Sequence, residues 1–334
     1  MIVNIILSRN RVSKEIRTGI KLRLENPPPG VSYRIINEPV GLLPSNNDYY
    51  ITMDTTLKWF LKVFTEPIYS LRLRDLTHAF FLNLYIPHSP WVQEIDQPIF
   101  DLFEKYLGRS RNDALYRMAV RVFRSLFNRN DVTIVTWTQW SKAGLEEEGF
   151  KDVRVVPPPM RTGVRRIDNV ITVGFIGVDY RRKGGDIAEE VMVKLPRWVR
   201  KVYVGVSPRM VDGIEYHRPM ARNELLKLMS EFDVLLFPTR GEAYGITVLE
   251  ALSLGIPVIS SSIGPMSEVV GEGGILCEVD DTKCFLESAK ELVNSPEYAM
   301  ELGARAKAMV ARRHSPEVIG KELLSIYREL GNDE

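Results

Sequence analysis

Short apolar runs alternate with stretches of helical spacing along the chain, a rhythm that predicts parallel strands joined by covering helices. In the first half, residues 2–7, 49–53, 79–86 and 132–135 read as strands, and a helix from Trp140 closes at Gly149. Val156-Pro-Pro-Pro-Met-Arg-Thr-Gly163 is a stiff, proline-rich connector. Strand patterns resume at 171–176 and 202–206. Near the end Ser315 is a helix cap with Pro316 at the first helical position. A chain of 334 residues suits two domains. The expected organisation is residues 1–156, residues 157–314, and a helical tail over 315–334.

The most informative stretch runs from Phe232 to Ser260. Residues 234–237 read as a buried strand that halts at Pro238. A loop carrying Gly241, Glu242 and Gly245 follows. Residues 246–254 then have helical spacing and close at Gly255, and a second apolar run fills 257–259. Strand, polar turn, short helix and strand make half of a doubly wound sheet, which binds ligands at its carboxyl edge. A helix opening at Gly245 offers unpaired N–H groups and partial positive charge, and glycine lets an anion approach the backbone. Glu242 and Glu250 are acceptor-only when ionised and suit hydroxyl groups. A lone pair of glutamates reads as solvated charge; the flanking strands and glycines favour a site.

A second turn of the same design is Phe175-Ile-Gly-Val-Asp-Tyr-Arg-Arg-Lys-Gly-Gly-Asp186, with a helix from about Asp186. Three basic residues in a loop ordinarily form a solvated face. At this edge, Arg182 and Lys183 instead suit a diphosphate that gains charge as its bond to a sugar breaks.

Together, Glu242-x7-Glu250 and Lys183-Gly184 resemble the motifs of the family 4 retaining glycosyltransferases of the GT-B fold. The likeness runs from Asn223 through residue 276 and covers the first half of the chain only loosely. It implies two Rossmann-like domains facing each other across a cleft, with the terminal helix crossing back to the first. It implies a hexosyltransferase that moves a sugar from a UDP- or GDP-sugar to a lipid-linked, glycan or protein-linked acceptor with retention of configuration. The second domain would hold the donor and the first the acceptor. Lys183 and Arg182 would meet the diphosphate, Glu242 the sugar and Glu250 the ribose. Gly177, Ala243, Tyr244, Gly245, Ile246 and Thr247 would line the nucleotide-sugar pocket, with Met220 in the loop beside the base. His88, ending an apolar strand, matches a family histidine near the sugar. Two departures stand out. Val178 occupies a position where many members have arginine, and the segment from Ser8 to Ser13 replaces a glycine-rich loop. The alternatives are a non-catalytic GT-B module that binds nucleotide sugar or glycan, and a sugar-nucleotide epimerase on the same scaffold.

The net charge of +1 advertises no nucleic-acid partner. Residues 1–155 carry about +4 and the remainder about −3, a tilt that suits an acceptor domain meeting an anionic surface. No Asp-x-Asp occurs, so neither a metal nor any cofactor beyond the donor substrate is expected. Cys277 and Cys284 match no metal spacing and read as structural, and so few cysteines fit a reducing compartment. The opening residues are too short to span a membrane, so the expected location is cytoplasmic, at the inner membrane face if the acceptor is a lipid. Residues 115–129 have helical spacing, with Arg117, Arg121 and Arg124 on one face and apolar residues on another. Either the helix packs on the core and exposes a basic stripe, or it meets an anionic membrane together with Trp59 and Phe60.

Overall fold

The computed structural model describes residues 1–6, 16–36, 75–81, 90–166 and 169–331. His88, the turn from Ser8 to Ser13, the strand expected at 49–53, and Trp59 and Phe60 lie outside these residues. Two compact units form, one of Met1–Pro159 with Pro316–Glu334, the other of Met160–Ser315.

The first unit contains β1 (Ile2–Ile6), α1 (Thr18–Glu25), β2 (Ser32–Ile36), β3 (Thr77–Phe80), β4 (Trp91–Glu94), α2 (Ile99–Leu107), α3 (Ala114–Phe127), β5 (Val132–Thr136), α4 (Gln139–Glu147) and β6 (Val153–Val155). Its sheet has the order β2-β1-β3-β4-β5-β6, with every pairing parallel. Parallel strands need crossovers that cover both faces of the sheet, and β5 is accordingly buried throughout. Helix α3 shows how the sequence builds one cover. Asp113 caps it by accepting from Leu115 N at 2.8 Å. Tyr116, Ala119, Val120, Phe123 and Phe127 form its buried face. Arg117, Arg121 and Arg124 stay exposed. The apolar face of this helix packs on the core and the basic stripe faces outward.

The second unit contains β7 (Thr172–Gly177), α5 (Gly185–Lys194), β8 (Arg200–Gly205), β9 (Glu215–His217), α6 (Arg222–Met229), β10 (Val234–Phe237), α7 (Ile246–Leu254), β11 (Val258–Ser261), α8 (Met266–Val270), β12 (Gly274–Cys277), α9 (Thr282–Asn294) and α10 (Pro296–His314). The sheet order is β12-β11-β10-β7-β8-β9, again parallel. Both β10 and α7 have the bounds expected from the sequence. Gly245 and Gly255, at the two ends of α7, adopt the left-handed backbone that glycine tolerates.

Cys277 and Cys284 form a disulfide between the end of β12 and the first turn of α9. Disulfides occur in oxidising compartments and in intracellular proteins of hyperthermophiles. The sparse cysteine content therefore does not support the reducing compartment expected above. Among the described residues no helix is long and apolar enough to cross a membrane.

The last helix, α11 (Pro316–Gly331), belongs to the first unit and buries Ile319, Leu323, Ile326 and Tyr327 against β1, β3, β4 and β5. A polar knot lies beneath it. Arg23 and Glu94, 1% and 2% exposed, pair through two hydrogen bonds of 3.1 and 3.3 Å. The same guanidinium donates to the carbonyls of Val156 and Pro157, tying α1 to the connector. His78 stands 2.9 Å from Glu94 on one side and 2.6 Å from the Tyr327 hydroxyl on the other. Burial would raise the Glu94 pKa, but the Arg23 charge, with help from His78 and Trp137, holds it at about 2. Burial drives the His78 pKa down against the opposing pull of Glu94.

Both folded pKa values are depressed, so their contributions are complete above the unfolded ranges and are lost as pH falls. Unfolded histidine takes up its proton near pH 6.5 and unfolded glutamate near 4.5, while the folded groups resist. Urea denaturation at pH 7 and pH 4 should show lower stability in acid. Glu94→Gln, which strands Arg23 in the interior, should cost about 3–5 kcal/mol at pH 7. It should also flatten the acid limb below pH 4.5.

Candidate active site

Sheet order locates the site before any side chain does. From β7 the chain winds outward through β8 and β9, then returns to place β10 on the opposite side of β7. The switch point therefore lies between β7 and β10, and ligands of open α/β sheets sit outside the carboxyl ends of such a pair. The loops that leave those two ends carry Arg182 with Lys183, and Glu242 with Gly245.

The two loops are sewn together. Arg240 N donates to Arg182 O at 2.7 Å, and Arg182 Nη1 donates to Gly241 O at 3.0 Å. Arg182 Nε also reaches Asp179 at 3.1 Å. Arg240 forks onto Asp186 at 2.8 and 3.0 Å and reaches Asp280 at 2.6 Å, in the loop spanned by the disulfide. Gly184 makes the close approach possible. Its φ is +72°, and a Cβ there would stand 1.9 Å from Pro238 O. Gly177 serves a related need, since a Cβ on it would lie 2.7 Å from the Cβ of Lys183.

Lys183 Nζ forms an ion pair with Glu242 Oε2 and stands 5.0 Å from the centroid of the Phe237 ring. Their side chains are 17% and 12% exposed, so the pair is largely but not wholly withdrawn from water. Burial lowers the lysine pKa while Glu242 pulls it upward. Immediately beyond, α7 starts at Gly245 with no side-chain cap, and the first helical bond is Leu249 N to Gly245 O at 3.0 Å. The N–H groups of Ile246, Thr247 and Val248 consequently lack acceptors within the helix. Ala243, Ile246 and Thr247 are partly exposed, whereas Tyr244 is 2% exposed and its side chain belongs to the core.

Glu250, one turn further along α7, is buried and pairs with Arg222 at 2.8 Å. Met220 lies in the partly exposed loop between β9 and α6, two residues before that arginine. The structure thus joins Lys183 to Glu242. It turns Arg182 toward Asp179 and Gly241, and gives Glu250 a partner that the motif did not name. Arg222 had one sequence cue, a cation at the first position of a helix, where the helix dipole disfavours it. Arg240, Asp186 and Asp280 had none, because their pairings cross between loops far apart in sequence. Among the described residues no group of His, Cys, Asp or Glu is arranged to hold a metal ion.

The family model described as Glycosyl transferases group 1 matches residues 171–295, which covers most of the second unit. The N-acetyl-alpha-D-glucosaminyl L-malate synthase of Bacillus anthracis is 30% identical over 115 residues, 34% of this chain and 30% of the relative. A D-inositol 3-phosphate glycosyltransferase of Corynebacterium urealyticum is 28% identical over 35% of this chain and 28% of its own length. The chain thus spans about 30% of the length of these curated relatives. Among solved structures, a sucrose-phosphate synthase from Thermosynechococcus elongatus superposes with a TM-score of 0.74 at 15% identity, over 99% of both chains. Anabaena Alr3699/HepE in complex with UDP and glucose gives 0.70 at 13%, over 99% of this chain and 100% of that one. These likenesses establish the fold: two Rossmann-like α/β units of the GT-B class.

The loop junction supplies a structural test. Gly184→Ala combines left-handed backbone strain with a clash against the Pro238 carbonyl, at a cost of about 2–4 kcal/mol. Chemical denaturation should show that loss, and retention of full stability would mean that the loops are not so closely joined.

Proposed function

We propose that the protein is a retaining glycosyltransferase that moves a hexosyl group from a nucleotide-diphosphate sugar, UDP- or GDP-linked, to an acceptor hydroxyl. The observation that carries this reading is the Lys183–Glu242 pair at the switch point, beside the uncapped start of α7. Supporting it, the family match covers most of the second unit, one relative is named a glycosyltransferase, and one neighbour was solved with UDP-glucose.

In this reading the diphosphate lies against the N–H groups of residues 246–248, and Lys183 turns from Glu242 toward it. Glu242 accepts hydrogen bonds from sugar hydroxyls and Glu250 from ribose hydroxyls. Arg182 acts through the loop it holds at Gly241, with its charge near the phosphates. The bond from the anomeric carbon to the diphosphate oxygen breaks, and a bond to the acceptor oxygen forms on the same face. The acceptor's proton passes to the departing phosphate oxygen. Lys183 and the helix N-terminus stabilise the charge that grows there, which requires no divalent metal.

Lys183→Ala should therefore lose about 2–4 kcal/mol of transition-state stabilisation while folding normally. The measurement is turnover of UDP-, GDP- and ADP-glucose, with and without acceptor, in the presence of EDTA. Wild-type protein should consume one donor under these conditions. Binding without any turnover would favour the non-catalytic module, and a changed sugar still attached to its nucleotide would indicate an epimerase. Activity abolished by EDTA and restored by Mg²⁺ would overturn the metal-free mechanism.

For the acceptor, the basic stripe of α3 favours a lipid-linked substrate at an anionic bilayer. Among the described residues the guanidinium groups of Arg121 and Arg124 meet no carboxylate, although nearby Arg109, Arg111 and Arg129 each have one. With Arg117, Tyr116, Val120, Ser125 and Asn128 they line an open hollow of ≈ 510 Å³. The apolar face of α3 is committed to the core, so such a contact would be electrostatic, worth about 1 kcal/mol per arginine. Co-sedimentation at low salt should favour vesicles containing phosphatidylglycerol over neutral ones, and R117Q/R121Q/R124Q should remove the difference. Equal sedimentation with both vesicles would point to a soluble acceptor.

A further inference from the structure

Arg222 opens α6 at the end of the helix where the peptide dipoles place positive charge, a poor location for a cation. Its pairing with Glu250 offsets that cost. Both Nε and Nη2 stand 2.8 Å from the same carboxylate oxygen, Oε1. Among the described residues no hydrogen bond reaches Oε2. The Glu250 side chain is 5% exposed and that of Arg222 is 26% exposed. With Oε1 held by the arginine, Oε2 has no protein donor among the described residues and is open to one from water or a ligand.

We propose that Arg222 is a positioning residue for ribose recognition: it fixes the Glu250 carboxylate through Oε1 and leaves Oε2 to accept from ribose hydroxyls of a nucleoside diphosphate. This rests on the donor reading of α7 given above. The Nε hydrogen bond and the Nη2 charge beside it both act on Oε1, so the guanidinium restrains that oxygen of the carboxylate. Burial pushes the Glu250 pKa up, and the arginine opposes that shift by charge and hydrogen bonding. Of the elements packed on α7, α10 brings one charged side chain, Lys307, whose stem lies beside Gly255 at the far end of the helix. In α10, Gly303 lies against Gly255, and in α8 Met266 lies against Gly245.

The test is calorimetric binding of UDP, GDP and ADP, followed by the 2′-deoxy and 3′-deoxy forms of whichever nucleotide binds most tightly. Wild-type protein should bind the ribonucleotide roughly ten- to a hundredfold more tightly than at least one deoxy form. Arg222→Met should shrink that ratio toward one, and its remaining affinity should fall more steeply than wild type as pH is lowered, because Glu250 loses the charge that opposes its upward shift. Arg222→Lys should recover part of the affinity but less of the discrimination. On a Glu250→Gln background, adding Arg222→Met should change affinity little, because the arginine acts through the glutamate. An unchanged ribo-to-deoxy ratio in Arg222→Met, or fully additive losses in the double variant, would overturn the assignment of Arg222. If wild-type protein binds no nucleoside diphosphate at all, the donor reading itself fails.

Discussion

The ion pair between Lys183 and Glu242 is the contact on which the proposed chemistry depends. It joins a residue leaving β7 to one leaving β10, the two strands between which the winding of the sheet reverses. Without a ligand the two charges neutralise each other in a largely dry setting, where an unpaired lysine would be costly. In the proposed mechanism a diphosphate takes over the lysine and leaves the glutamate to hydroxyl groups.

Such a pair can form only if the two loops come within contact distance, and much of the surrounding structure serves that end. Gly184 admits the Pro238 carbonyl, Arg182 holds Gly241, and Arg240 binds Asp186 and Asp280. The charges of Arg240, Asp186 and Asp280 do not face the ligand in the proposed mechanism. They bind one loop to the next so that Glu242 and the start of α7 keep a fixed relation to Lys183. The first unit uses the same physics in its interior. Arg23, Glu94, His78 and Tyr327 secure both the connector and α11, so the two chain crossings that close this unit share one buried polar knot.

The signature region was legible because its elements are local. A four-residue apolar run stopped by proline, and a helix bounded by glycines at both ends, became β10 and α7 with no change of bounds. The tail helix with its proline start was legible for the same reason. The strand at 171–176 is displaced by one residue to Thr172–Gly177, and that at 202–206 begins two residues earlier, because parallel pairing fixes strand ends across the sheet. Strands β2, β4, β6, β9 and β12 escaped the reading. Short fully buried strands such as Trp91–Glu94 carry polar residues whose partners are remote in sequence. At the site, the spacing of Glu242 and Glu250 was readable, but their partners were distinct in kind. Lys183 belonged to a recognised motif, whereas Arg222 did not, and its importance appears only through its contact with Glu250.

Hydrogen exchange read by mass spectrometry tests the central claim most directly, with saturating UDP-, GDP- or ADP-glucose added to the intact protein. The account predicts that one of these ligands slows exchange in peptides spanning residues 178–184 and 239–250, most strongly at the amides of 246–248, which have no acceptor within their helix. Saturable binding that leaves those amides unchanged and protects other segments instead would contradict it.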